Sequence, residues 1–92
     1  MHLIERVRRN DRGQVTHVEW FKLTPAGQSI SMEARVIEAV DALHNGEDVR
    51  IFVRGQRGAR VRPVPGGGGW ETIGDILGAP LDQSKLTDVP EF

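Results

Sequence analysis

The stretch from Ser29 to Gly46, SISMEARVIEAVDALHNG, constrains this chain more than any other, because it alone carries a convincing helical period. Met32, Val36, Ile37, Val40 and Leu43 follow the i, i+4, i+5, i+8, i+11 spacing that draws one apolar stripe on a 3.6-residue repeat. Glu33, Arg35, Glu38, Asp41 and His44 fall mostly on the other side, toward water. Ser29 or Ser31 can accept a hydrogen bond from a first-turn N–H, and Glu33 suits the positive end of the helix dipole. Asn45-Gly46 supplies the left-handed residue that ends the helix. The expectation is one helix whose stripe lies on a surface made by the flanking segments.

Those segments read as strands. His2 to Arg9 alternates Leu3, Glu5 and Val7 against Ile4, Arg6 and Arg8, and Asn10-Asp11-Arg12-Gly13 reads as a turn. Gln14 to Leu23 returns as a second strand rich in β-branched and aromatic residues. Val15 and Val18 cannot share a face of a regular strand, which predicts a bulge near Thr16-His17. Thr24 to Gly27 breaks the strand ahead of the helix. Beyond the helix, Val49 to Arg54 is a third strand, with Val49, Ile51 and Val53 inward and Arg50, Phe52 and Arg54 outward. Gly55 to Gly58 is a loop. Ala59 to Val64 is a fourth strand, with Ala59 and Val61 inward and Arg60 and Arg62 outward, ending at Pro63 and Pro65. Gly66 to Gly69 is a loop and Trp70 to Ile73 a short fifth strand. The order β-β-α-β-β-β predicts an α+β domain, an antiparallel sheet with one helix on one face. Residues 1–74 form the expected core. Residues 75–92 form an extended tail, with a turn at Asp75-Ile76-Leu77 and anchors at Leu81, Leu86, Val89, Pro90 and Phe92 that suit docking.

Ninety-two residues make a single domain. No cysteine is present, which excludes disulfides, thiol nucleophiles and cysteine-ligated metals and fits a reducing cytoplasm. The opening MHLIERVRRNDR is too charged for a signal peptide, and no run is long enough to span a membrane. Charge is uneven: residues 1–62 carry eleven Lys/Arg against eight Asp/Glu, whereas residues 63–92 carry Lys85 against Glu71, Asp75, Asp82, Asp88 and Glu91. A basic body with an acidic tail fits an anionic partner, or a tail that neutralises the body it packs on.

Four motifs in order carry a resemblance: IERVR (Ile4 to Arg8), G-x-V-T-H-V (Gly13 to Val18), E-A-V-x-A-L-x-N-G (Glu38 to Gly46) and L-x-x-V-P-x-F (Leu86 to Phe92). Together they run over nearly the whole chain. The sequence resembles a small, mostly bacterial family of uncharacterised proteins, the domain of unknown function thirty-eight ninety-two. The resemblance implies a compact cytosolic domain and transfers no catalytic or binding residue.

For chemistry, the arginines come first. Arg50 and Arg54 on the third strand and Arg60 and Arg62 on the fourth would share an outer face with Phe52, extended by Arg6 and Arg8 and near Trp20 or Trp70. Guanidinium forks hold phosphates and aromatic faces stack on bases, so this row is the candidate anion or nucleic-acid face. The competing reading is a solvated face paired with Glu5, Glu19 and Glu71. The tail either completes the core through Leu86, Val89 and Phe92 or acts as a displaceable lid on that face, with Asp88 and Glu91 mimicking the anion.

PVPGGGGW lacks the G-K-[ST] and strand-loop-helix context of a phosphate loop and reads as a hairpin loop. His2, His17 and His44 have no metal-ligand spacing; His17 with Glu19 is the one local His–carboxylate pair. Ser29, Ser31 and Ser84 sit in no nucleophile elbow. No catalytic set, cofactor or metal is expected. The sequence therefore favours a non-enzymatic protein-interaction module, monomeric or weakly self-associating, working through a sheet edge or the arginine-aromatic face. The alternative is a nucleic-acid- or anion-binding accessory domain using Arg50, Arg54, Arg60 and Arg62.

Overall fold

A computed structural model describes residues 1–66, 70–74 and 89–90. Asn10 organises the first turn: its side-chain oxygen accepts from the N–H groups of Arg12 and Gln14, and Gly13 takes a φ of 77°. This folds β1 (His2–Arg9) antiparallel on β2 (Val15–Thr24). Two bulges set what the hairpin buries. Pairing steps from Ile4–Trp20 to Arg6–Glu19, leaving Glu5 extra on β1, and from Arg8–His17 to Arg9–Val15, leaving Thr16 extra on β2. Each extra residue flips the alternation once. Ile4 and Val7 therefore join one core, as do Val15 and Val18, all buried in the same cluster.

The helix is shorter than its sequence pattern suggests. α1 spans Val36–His44, and the seven residues before it run along β2 as extended chain. β3 (Gly27–Gln28) pairs with Leu23 and Thr24, and β4 (Met32–Arg35) pairs Met32 with Trp20 and Arg35 with His17. Ser29 lies between β3 and β4, its hydroxyl accepting from the Lys22 N–H at 2.8 Å, and the Ser31 hydroxyl donates to Glu5, so neither predicted serine caps the helix. The cap comes from Glu38, whose carboxylate accepts the Arg35 N–H at 2.7 Å. Met32 lies outside the helix and is 57% exposed. Ala39, Val40 and Ala42 are buried, with Val36 and Leu43 packed beside them. The C-terminus ends as expected: Gly46 at φ 85° lets its N–H reach the Leu43 carbonyl and the Glu47 N–H reach that of Ala42.

The sheet is mixed, where an antiparallel one was expected. The helix carries the chain over the core face and returns it beside β1, so β5 (Val49–Val53) runs parallel to β1, with His2 opposite Val49 and Ile4 opposite Ile51. β6 (Gln56–Arg60) then folds antiparallel onto β5, giving the order β3-β2-β1-β5-β6 with β4 also on β2. The turn is two residues, Arg54-Gly55, both at positive φ, so β6 begins three residues before the predicted fourth strand. That predicted strand is divided. Val61 is buried, with its N–H on the Val49 carbonyl, and the chain leaves the sheet there. β7 (Arg62–Pro65) pairs with β8 (Glu71–Gly74) in a separate hairpin packed on α1, with Val64 and Ile73 buried.

Val89 is 5% exposed within the main cluster, and the Pro90 carbonyl accepts the Val7 N–H at 3.0 Å. The expectations for Gly67–Gly69, for the Asp75-Ile76-Leu77 turn, and for Leu81, Leu86, Asp88, Glu91 and Phe92 lie outside the described residues, as does Ser84. Among the described residues no helix is long and apolar enough to cross a membrane.

Candidate functional site

The predicted arginine face does not assemble as drawn. Arg50 and Arg60 are opposite each other on β5 and β6, but Asp48 stands between them. Arg50 Nε donates to one carboxylate oxygen at 3.2 Å, and Arg60 Nε lies 3.2 Å from the other in an ion pair. That second oxygen, Asp48 Oδ1, is buried and gains no well-aligned hydrogen bond, so the contact with Arg60 is Coulombic. Phe52 is half-buried, its ring edge-to-face with Phe21 at 5.3 Å on the far side of the sheet from the helix. Arg54 occupies the hairpin turn at φ 55° and lies on no strand face. Arg62 belongs to the second hairpin, opposite Gly74. Arg6 and Arg8 are held by Glu19 and Glu33. The row is thus split between two sheets and largely neutralised.

The histidines are also placed differently from their sequence neighbours. Glu19 serves Arg6, so the local His17–Glu19 pair does not form. The Thr16 hydroxyl donates to the Arg8 carbonyl at 3.3 Å and lies 2.9 Å from His17 Nδ1. His44 meets Glu71 across 27 positions of sequence, Nε2 to Oε1 at 2.9 Å. His2 lies against Trp20 with ring centroids 4.2 Å apart, and its Nδ1 is buried 3.5 Å from Glu47. Burial lowers the His2 pKa, which Glu47 opposes while the terminal ammonium and Lys22 add to it.

A concave site opens elsewhere, at the N-terminal end of α1. It is a groove of about 740 Å³ between the start of β2, the β4–α1 junction and the tip of the second hairpin. Its apolar walls are Val15, Val36, Ile37 and Pro65, and its polar contributors include Thr16, His17, Arg35 and Thr72. Trp70 stands on the rim, 71% exposed. The geometry follows from the Thr16 bulge and the short helix. β4 parts from β2 at the Arg35–His17 pair, so Val15 and Thr16 meet no described strand on that side. Two other exposed apolar side chains, Ile30 and Met32, lie along the outer edge, at 81% and 57% exposure. Of the groove, the sequence signals only the bulge and a tryptophan beside a glycine run. Arg35 falls on the solvated side of the expected helix, and no local motif joins segments so far apart in the chain.

Among the described residues no three His, Cys, Asp or Glu side chains come together as a metal site would require. In comparisons with protein-family models, with curated protein sequences and with solved structures, nothing matches the chain.

Proposed function

We propose that this protein is a non-enzymatic interaction module that holds an extended segment of a partner protein in the groove at the start of β2. The observation that carries the reading is the exposed Trp70 at the mouth of an apolar-walled groove of about 740 Å³. Large exposed aromatics beside a concave apolar surface are the usual anchors of protein recognition. The side of β2 at Val15 and Thr16 that no described strand covers adds backbone groups that an extended segment can pair with. The resemblance to the family of unknown function is compatible with this reading and adds no activity to it.

The nucleic-acid reading has less support. Phosphate affinity grows with the number of free cations, and the hairpin arginines that would supply them share Asp48.

Panning a random dodecapeptide library on the immobilised protein tests the proposal. Selected peptides are expected to shift the backbone amides of Thr16, His17 and Arg35 to Ile37, and the Trp70 indole N–H. Trp70→Ala should weaken them by about tenfold while leaving the melting temperature unchanged. Peptides that map instead to β6 or to the Ile30–Met32 edge would sink the groove reading.

A further inference from the structure

The two charged residues of the groove differ in their partners. Arg35 and Glu71 are its charged lining residues. Glu71 is engaged by His44 at the other end of the helix, at 2.9 Å. Arg35 has no such partner: among the described residues its guanidinium makes no ion pair. The acids nearest to it in sequence are both committed. Glu33 pairs with Arg8 at 3.2 Å, and Glu38 accepts the backbone N–H of Arg35 itself at 2.7 Å. Arg12, Arg54 and Arg57 also make no ion pair among the described residues, but none of them lines this groove, where Arg35 is a cation beside an apolar surface.

A guanidinium in that position favours a carboxylate, which it can take with two parallel hydrogen bonds. Val36, Ile37 and Pro65 beside it favour an apolar side chain, and the exposed Trp70 face can cover one. We propose that the partner segment is acidic, with one carboxylate received by Arg35 and the neighbouring apolar side chain covered by Trp70. The inference rests on the interaction-module reading and specifies its ligand: a peptide in which Asp or Glu lies next to a large aliphatic residue.

The test uses three amidated, acetylated hexapeptides and the full chain. One has the sequence Gly-Asp-Leu-Glu-Leu-Gly; the second replaces its acids by Asn and Gln; the third replaces them by lysine. Each is titrated into isotope-labelled protein at low salt and again at higher salt, followed by amide shifts and the Trp70 indole N–H. The acidic peptide is expected to move Thr16, His17, Arg35 to Ile37 and Trp70, and to bind about fivefold to tenfold more tightly than the neutral isostere. The lysine peptide should be weakest, and the preference for acid should shrink with salt. Arg35→Gln should abolish the preference, Arg35→Lys should restore part of it, and Arg50→Gln should leave it intact.

Equal binding of all three peptides in the groove would overturn the acidic inference and leave the module reading standing. Shifts outside the groove, or none with any peptide, would also overturn it, and the library selection then decides the module reading separately. A six-residue oligothymidine that moves the same resonances at lower concentration than the acidic peptide would overturn it in favour of nucleic acid.

Discussion

Two parts of this molecule carry arginine next to apolar or aromatic residues, and they use it in opposite ways. In the β5–β6 hairpin, Arg50 and Arg60 are drawn onto one carboxylate, Asp48, and the aromatic residue two places along the strand from Arg50, Phe52, is already packed edge-to-face on Phe21. At the groove beside the β4–α1 junction stand one arginine with no ion pair among the described residues and one exposed tryptophan. Counting arginines along a strand favours the hairpin; following each charge to its partner favours the junction. What an arginine offers a ligand is set by whether the fold has already neutralised it.

The sharpest way to break this contrast is Asp48→Asn. The change removes the charge that Arg50 and Arg60 share and leaves two cations facing each other across the hairpin. A loss of about 1–2 kcal/mol is expected, read by urea unfolding, because the carboxylate is partly buried and held from two sides. The same variant should gain binding to oligothymidine at low salt, fading steeply as salt rises. Binding of equal strength by the unaltered protein, mapped to β5 and β6, would show that the hairpin was never closed.

This distinction was hidden in the sequence, while much of the scaffold was not. Asn10, Gly13, Asn45 and Gly46 each act within a few residues of themselves, so the first turn and the helix C-terminus could be read locally. The Thr16 bulge was also legible, because Val15 and Val18 must both reach one core. The helix start was not: Met32 fits a helical stripe and an edge strand alike, and pairing with Trp20 decides between them. The parallel β1–β5 pairing and the break at Val61 depend on contacts far apart in the chain. The groove draws on the first turn, β2, the helix start and the second hairpin, and the His44–Glu71 contact joins residues 27 positions apart.

A smaller effect should mark the hairpin side of the molecule with acid sensitivity. His2 lies against Trp20 beside Glu47, and burial holds its pKa below the ordinary value. The unfolded chain therefore takes up the proton more readily than the folded one. The stability tied to neutral His2 is fully present above the unfolded imidazole's pKa of about 6.5 and is lost as pH falls through the lower folded value. His2→Gln should flatten the melting temperature between pH 7.5 and 5.5 as compared with the unaltered protein, at about those limits. Parallel curves would mean that His2 is solvated in both states.

The turn of the same hairpin offers a change of opposite sign. Arg54 sits at φ 55° in a two-residue turn whose first position favours Asn or Gly. Arg54→Asn should stabilise the domain by about 0.5–1 kcal/mol in urea unfolding, since the left-handed conformation costs a long side chain more than it costs Asn. Acidic-peptide binding should be unaffected. A weaker peptide complex would place Arg54, and with it the hairpin, at the binding surface.

The smallest stability effect is expected where the largest binding effect lies. Arg35→Gln removes an exposed guanidinium with no ion-pair partner among the described residues, and it keeps the backbone N–H that Glu38 accepts. Its unfolding free energy should stay within about 0.5 kcal/mol of the unaltered protein. A side chain that contributes little to the fold but controls a ligand's charge preference is what an unneutralised cation at a binding groove should be. If Arg35→Gln instead destabilised the domain by as much as Asp48→Asn, Arg35 would have a structural partner after all. The two arginine regions would then differ only in which acid closes them.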